Sequence, residues 1–195
     1  MKPMKTKSSK TITVISDGTT GEKWITSLEK SGIVVSRYAK ELLQSKDFIP
    51  TTAVVYKVAI IKGDELSDKQ LITIKDIREE VENRGYLTPP VELACLLREK
   101  LSNDDLKKMG LRWLITLHKP IVDSFGGPSL LGADANVAEP WLDACYGGPA
   151  RRWVRESGFA CVVPQVNSTN YETLDLKSLA LRVEVLEKWM KQCRG

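Results

Sequence analysis

The C-terminal half of the chain contains two nearly identical turns. Residues 125–128 read Phe-Gly-Gly-Pro and residues 146–149 read Tyr-Gly-Gly-Pro, 21 positions later. Glycine adopts positive φ without steric cost and proline cannot donate to a sheet ladder, so each segment forces a chain reversal and interrupts strand pairing. Apolar segments flank both turns. The spacing therefore predicts a meander of short antiparallel strands between residues 111 and 165.

The rest of the chain alternates between strand and helix signals. Residues 11–15 and 53–61 are rich in β-branched side chains and predict strands. Caps at Thr20, Ser36 and Thr73 precede helical apolar spacing. The pattern predicts an α+β fold with a mixed or antiparallel sheet and a C-terminal meander. A Rossmann-like α/β sheet is the alternative. The expected organisation is a basic disordered tail (1–10), one domain (11–170) and a C-terminal helix (171–195).

The charge of the chain is concentrated in the tail. The formal net charge is +4, and the tail contains four lysines and no acidic residue, so the remainder is neutral. These lysines are Lys2, Lys5, Lys7 and Lys10. A domain that binds nucleic acid through phosphates needs a basic face, and a neutral body argues against that class.

The cellular location follows from what the sequence contains near its N-terminus and in its cysteines. Lysine and serine stand where a signal peptide carries an apolar segment, and no apolar run reaches the length of a membrane span. The four cysteines lack paired metal-ligand spacing, which predicts buried free thiols and no metal site. The sequence therefore predicts a cytoplasmic protein that does not insert into membranes, and it identifies no cofactor.

The first candidate ligand site is the loop that follows the first predicted strand. Gly18, Thr19, Thr20 and Gly21 precede a helix N-terminus, where free backbone N–H groups and the helix dipole attract anions. The glycine and lysine spacing matches neither a P-loop nor a dinucleotide fingerprint. The alternatives are phosphate or nucleotide binding and an ordinary turn with a capped helix.

The second candidate site depends on strand direction. If strands 11–16, 53–61 and 111–117 are parallel, their C-terminal ends bring a small titratable set to one sheet edge. Such a set would suit acid–base chemistry, with His118 and Asp123 as the pair. A Cys–His pair of His118 with Cys145 or Cys161 is a further alternative. The residues at these ends are Asp17, Lys62, Asp64, His118 and Asp123.

Three arginines and a tryptophan follow the second glycine turn. Arg151, Arg152 and Arg155 flank Trp153, a combination that suits phosphate contact with base stacking. Glu156 follows directly and the body is neutral. A solvated turn beside a core tryptophan is therefore the favoured interpretation.

The last helix carries two apolar arcs. The first follows the 3-4 spacing of a coiled-coil seam but spans fewer than three heptads. The second lies on a separate face, so the helix is expected to contact both its own domain and another surface. A homodimer is the simplest second surface. The first arc contains Leu176, Leu179, Val183, Leu186 and Met190, and the second contains Leu174, Leu181, Val185 and Trp189.

Three functional hypotheses follow. The leading one is a cytosolic, non-catalytic binding or interaction protein that self-associates or binds a protein partner through its last helix. The second is an enzyme or binding protein for a phosphorylated small molecule or nucleotide, which uses the loop 17–21 with His118 and Asp123. The third is a weak nucleic-acid binder that uses the lysine tail and Arg151, Arg152 and Arg155.

Overall fold

The computed structural model describes residues 10–165, which contain ten strands and six helices. The residues of the predicted C-terminal helix, including both apolar arcs, and residues 1–9 of the tail lie outside this range. The strands are β1 (Lys10–Asp17), β2 (Val34–Val35), β3 (Thr52–Lys62), β4 (Leu71–Thr73), β5 (Trp113–Thr116), β6 (Ile121–Val122), β7 (Pro128–Asp134), β8 (Trp141–Tyr146), β9 (Arg152–Val154) and β10 (Ser157–Val162). The helices are α1 (Gly21–Lys30), α2 (Arg37–Leu43), α3 (Gly63–Leu66), α4 (Ile74–Asn83), α5 (Leu93–Lys100) and α6 (Asn103–Lys108).

A large, mostly antiparallel sheet organises the described chain. Seven of its eight strands follow the order β1-β3-β10-β5-β7-β8-β2, and β6 pairs with β7. Two neighbouring pairs are parallel, β10 with β5 and β2 with β8. Strands β4 and β9 form a separate antiparallel ribbon. The mixed helices and the mostly antiparallel sheet confirm the α+β class, and the Rossmann-like alternative does not fit.

The meander is present in part. Strands β5, β7 and β8 pair antiparallel in sequence order, and the first glycine turn joins β6 to β7. Strand β10 does not extend this series, because it lies between β3 and β5. The central position of β10 explains its apolar sequence, since both of its edges and both of its faces are covered.

Two hydrophobic cores cover the two faces of the sheet. Alternate residues of β3 enter different cores: Val58 and Ile60 pack with α1, α2 and α5, whereas Ala59 and Ile61 pack with α4 and β9. Strand β1 differs, because its alternate residues Thr11, Thr13 and Ile15 are exposed. The second core therefore does not extend to the first strand of the sheet.

A β-bulge interrupts the β1–β3 pairing near the C-terminal end of β1. Ile15 faces Val55 and Asp17 faces Thr52, so Ser16 stands opposite two residues of β3. One of these two is Ala53, whose φ of 56° is in the left-handed region. This conformation costs an L-residue about 1 kcal/mol or more. The bulge thus stores strain beside the loop that leads into α1.

Among the described residues, no helix has both the length and the apolar composition needed to cross a membrane.

Candidate functional site

The loop 17–21 is fixed by backbone and side-chain contacts. Gly18 has φ 81° and donates its N–H to the carbonyl oxygen of Thr51 at 2.8 Å. The carboxylate of Asp17 accepts the N–H of Thr19 at 3.0 Å, and hydrogen bonding by Thr19, from its side chain first and then from its backbone, lowers the pKa of Asp17. Thr20 stands at the N-cap position of α1 without a side-chain cap bond.

The start of α1 packs closely on the end of α2. A Cβ placed on Gly21 would lie 1.8 Å from the carbonyl oxygen of Leu43, so this position accepts no side chain. A charged carboxylate at Asp17 and a carbonyl oxygen at Leu43 therefore flank the start of α1. Both groups carry negative charge density, which opposes a bound phosphate. Phosphate binding by this loop stays a prediction that no described contact favours.

A buried polar network lies beside the loop. Thr51 donates its N–H to Oε2 of Glu92 at 3.0 Å, and its hydroxyl donates to Oε1 of the same carboxylate. The Thr51 hydroxyl also lies 2.8 Å from the Ser16 hydroxyl and 2.9 Å from the Tyr56 hydroxyl. Ser16 in turn accepts the N–H of Val54 at 3.1 Å. The network joins the bulge to the start of α5, and it was not predicted from the sequence.

The grouping that required parallel strands does not form. Strand β1 runs antiparallel to β3, so Asp17 and Lys62 lie at opposite ends of this strand pair. Strands β1 and β5 point the same way, but β3 and β10 lie between them. Three inter-strand spacings amount to about 14 Å, which separates Asp17 from the end of β5.

Lys62 and Asp64 form an ion pair with an N···O distance of 3.7 Å. A Cβ on Gly110 would lie 3.2 Å from the Lys62 amine, which shows that this side chain covers the turn after α6. The Oδ1 atom of Asp64 is buried without a hydrogen-bond partner among the described residues.

His118 is buried and hydrogen-bonded at both ring nitrogens. Nε2 accepts the N–H of Leu131 at 2.9 Å, so Nδ1 carries the proton and donates to the carbonyl oxygen of Lys119 at 2.7 Å. Burial is the main cause that lowers the pKa of His118 to about 4, and the nearby charge of Arg78 also lowers it. Both lone-pair and proton positions are therefore used within the fold, and an acid–base role would require His118 to break one of these bonds.

Asp123 organises the turn between β6 and β7. Its Oδ1 accepts the N–H groups of Phe125 and Gly127, each at 2.9 Å, and its Oδ2 accepts the hydroxyl of Ser129 at 2.8 Å. These bonds, that of Gly127 first, lower the pKa of Asp123. The carboxylate thus fixes a turn instead of facing His118.

The thiols of Cys95, Cys145 and Cys161, the cysteines within the described residues, also lie within the packed structure. Cys145 contacts the carbonyl oxygen of Leu130 at 3.5 Å, and Cys161 contacts that of Ala59 at 3.6 Å. Burial raises the pKa of each of these two thiols to about 12, and it raises the pKa of Cys95 as well. Both hydrogen-bond partners of the His118 ring are backbone groups, of Lys119 and Leu131, so the predicted Cys–His pair is not formed. No three His, Cys, Asp or Glu side chains converge in the described part of the chain.

The arginine segment packs against the second core. Trp153 is buried, and its ring lies 6.2 Å from that of Trp113 and 6.5 Å from that of Phe159. The guanidinium of Arg151 lies 5.0 Å from the centre of the Trp153 ring. Trp153 is therefore a core residue and not an open stacking surface. Arg151 and Arg152 are exposed, and their contact with nucleic acid stays a prediction.

A cavity of about 460 Å³ lies between the α5–α6 junction and residues 138–140. Arg98 lines it but is itself 2% exposed, and its Nη1 donates to Oδ1 of Asn103 at 3.0 Å. Asn103 donates to the carbonyl oxygens of Val137 and Glu139 at 3.0 and 3.1 Å. The two side chains thus fasten the loop before β8 to α6.

One surface feature stands apart from these structural roles. Phe125 is 79% exposed at the tip of the β6–β7 turn, and its ring lies 6.2 Å from that of Tyr38 on α2, which is 46% exposed. We refer to Tyr38 and Phe125 as the aromatic tip. The sequence marked this position only as a turn, because glycine spacing indicates a reversal but not which neighbouring side chain is left in solvent.

Hydrogen bonds hold the turn that carries Phe125 and join it to α2, which carries Tyr38. The Asp123 hydrogen bonds fix the turn, and Gly126 has φ 80° and donates its N–H to the Asp123 carbonyl at 3.0 Å. The hydroxyl of Ser124 donates to Oε2 of Glu41 at 2.7 Å, which joins the turn to α2. The exposed Phe125 ring is thus presented by a hydrogen-bonded turn, beside the Tyr38 ring of α2.

Comparison with known proteins gives no further assignment. No family model, curated protein or solved structure matches the chain.

Proposed function

We propose that the chain is a non-catalytic interaction protein of the cytoplasm that binds a protein partner through the aromatic tip. The observation that carries the proposal is the exposed Phe125 ring on a turn fixed by Asp123. The burial of a large apolar side chain is favourable relative to its exposure in solvent. Aromatic residues also contribute a large share of the binding energy of protein interfaces.

The rigidity of the tip supports this proposal. A turn that is ordered before binding loses less conformational entropy when a partner covers it. The backbone of Phe125 is held by Asp123, and the Ser124–Glu41 contact joins the turn to α2, which carries Tyr38. The groups considered for catalysis support it too, since His118 and Asp123 are engaged in the fold.

The test is retention of partners on the immobilised protein. Phe125→Ser removes the exposed ring, and Val122→Ser removes a comparably exposed side chain from the same hairpin without touching the ring pair. Quantitative mass spectrometry of proteins retained from native cells should show a specific partner whose recovery falls at least about tenfold with Phe125→Ser. Recovery should be unchanged with Val122→Ser. Equal retention by all three proteins would refute the aromatic tip as the binding surface.

Self-association through residues 171–195 is the second part of the proposal. It rests on the two apolar arcs of the sequence, which offer one face to the chain itself and one to a second copy. Native mass spectrometry should give a dimer, and Leu186→Asp or Val185→Asp should give a soluble monomer. A monomeric parent protein, or loss of folding in both variants, would contradict the dimer.

A further inference from the structure

Strand β1 is an open edge of the eight-stranded sheet. It pairs with β3 on one side, and no described strand pairs with its other side. Strands at a sheet edge present a row of backbone N–H and C=O groups that another extended segment can pair with. The exposed side chains Thr11, Thr13 and Ile15 flank this edge.

Two contacts identify the backbone groups that point outward. The carbonyl of Thr13 accepts the Lys100 amine at 2.8 Å, and the carbonyl of its partner Lys57 accepts the N–H of Val163 at 2.8 Å. Both carbonyls therefore point away from the β1–β3 interface, so Thr13 and Lys57 form a non-hydrogen-bonded pair. By the alternation of an antiparallel ladder, Thr11 and Ile15 also direct their N–H and C=O groups outward.

The charge near the first half of this edge is basic, whereas Asp17 places an exposed carboxylate at the far end of the strand. Lys10 begins the strand, Lys57 lies across from Thr13, and Lys100 reaches the strand from α5. The sequence before β1 adds Lys2, Lys5 and Lys7 and no acid. The nearby carboxylate of Asp105 attracts Lys10. This carboxylate is held by its own helix cap, because it accepts the Ser102 hydroxyl at 2.6 Å. An acidic segment therefore complements the edge from Lys10 to Thr13, where the lysines lie.

A second copy of the chain suits this edge less well. An antiparallel pair of β1 strands centred on Thr13 would bring both Lys100 amines to the same point, since each binds the Thr13 carbonyl. Like charges at that distance repel. A foreign segment with a carboxylate opposite Thr13 would instead pair with Lys100.

We propose that β1 binds an extended acidic peptide as an additional antiparallel or parallel strand. The backbone groups of Thr11, Thr13 and Ile15 form the ladder, and Lys100 moves from the Thr13 carbonyl to a carboxylate of the peptide. This surface is independent of the aromatic tip, so either can fail without the other. Strand addition of this type derives affinity from main-chain hydrogen bonds and specificity from side chains.

The experiment uses the full chain and a fluorescent synthetic peptide of about ten residues in which valine and glutamate alternate. A second peptide has glutamine in place of each glutamate. Fluorescence anisotropy at low salt should show saturable binding of the acidic peptide and at least about tenfold weaker binding of the glutamine peptide. Absence of binding, or equal binding of both peptides, would overturn the proposal.

Variants locate the binding edge. Thr13→Pro removes an outward N–H while the β1–β3 ladder keeps its bonds, because proline is tolerated on the solvent side of an edge strand. It should weaken binding at least about tenfold, whereas Thr13→Val, which keeps the N–H, should bind normally. Lys100→Met should weaken the binding of the acidic peptide and leave the binding of the glutamine peptide unchanged. Unchanged binding by Thr13→Pro would refute the assignment to β1.

A measurement on the unmodified chain covers the case in which Thr13→Pro does not fold. The acidic peptide should slow amide hydrogen exchange at Thr11, Thr13 and Ile15, and exchange unaffected at all three would contradict the proposal. If the unmodified chain is instead a dimer that Thr13→Pro converts to a monomer, the edge belongs to a second copy and the peptide assignment is wrong.

Discussion

The Nε2 atom of His118 accepts a hydrogen bond from the backbone N–H of Leu131 at 2.9 Å. This bond joins the segment after β5 to the middle of β7, and it requires the neutral form of the ring. A protonated imidazole carries hydrogen on both nitrogens and cannot accept it. The one histidine of the sequence, a candidate for acid–base chemistry, thus links the segment after β5 to β7.

The stability of the protein should therefore depend on pH through His118. Burial lowers its pKa from 6.5 to about 4 in the folded state, so the unfolded state binds a proton first as pH falls. The stability from this residue is complete above pH 6.5 and is lost as pH falls toward 4, by about 3 kcal/mol in total. Urea unfolding should show about 2 kcal/mol of this loss between pH 7 and pH 5.

The chain has one histidine, so His118→Gln is a clean control. This variant should be less stable at pH 7 but should lose little further stability between pH 6.5 and pH 5. An equally steep pH dependence in the variant would show that His118 is not the source.

The contact between Thr51 and Glu92 should contribute strongly to stability. Glu92 is 1% exposed and accepts both the N–H and the hydroxyl of Thr51. Glu92→Leu leaves the Thr51 N–H without its carboxylate and should lower the free energy of unfolding by about 2 kcal/mol. Glu99→Leu changes an exposed glutamate of α5 and should change stability by less than about 0.5 kcal/mol. Similar denaturation midpoints for the two variants would contradict this role.

The strained bulge predicts opposite effects at two neighbouring positions. Ala53 has φ 56°, so Ala53→Gly relieves the left-handed strain and should raise the free energy of unfolding by up to about 1 kcal/mol. Gly18→Ala places a Cβ 2.6 Å from the Thr52 hydroxyl at φ 81° and should lower it by more than 1 kcal/mol, as ~1–2 kcal/mol is usual for such strain. Thermal unfolding of both variants measures the signs, and a destabilised Ala53→Gly protein would contradict the bulge geometry.

The thiols of the described domain should react slowly. Burial raises the pKa of Cys145 and Cys161 to about 12, so the reactive thiolate is scarce at neutral pH. In a Cys193→Ser variant, iodoacetamide should modify the folded protein far more slowly than the urea-unfolded protein, as followed by intact mass. Rapid modification of Cys145 or Cys161 in the folded state would instead indicate an activated thiol.

Much of the local structure could be predicted from sequence because its causes are local. The Ser36 hydroxyl accepts the N–H of Ala39, and the Thr73 hydroxyl accepts that of Asp76, as the capping residues indicate. Strand order had no such local cause. The position of β10 between β3 and β5 depends on pairs such as Cys161 with Ala59, which lie far apart in sequence.

The candidate site was harder to predict for the same reason. Glu92 meets Thr51 across 41 positions, and neither residue lies in a motif that marks the pair. The Asp123 turn could be anticipated from its glycines, but the exposure of Phe125 depends on how α2, which carries Tyr38 and Glu41, lies beside the turn. Only the packed arrangement shows which aromatic side chain the core leaves in solvent.

Because Phe125 is exposed, its substitution should affect partner binding but not the stability of the fold. Phe125→Ser should change the free energy of unfolding by less than about 0.5 kcal/mol, because the ring has little buried area to lose. Phe159→Ala, which empties a fully buried position, should cost about 3–5 kcal/mol. A large loss of stability in Phe125→Ser would mean that the ring packs in the fold and is not displayed for a partner.

Site-specific photo-crosslinking at position 125 tests the central claim most directly. A photoreactive phenylalanine analogue in place of Phe125 should form a discrete covalent adduct with one protein in native cells. The same analogue at Thr26, an outward position of α1 whose hydroxyl bonds within its own helix, serves as the control and should not form it. A partner adduct at 125 that is absent at 26 is the result expected of an interaction surface. No adduct at 125, or the same adducts at both positions, would contradict the assignment of the aromatic tip as the binding surface.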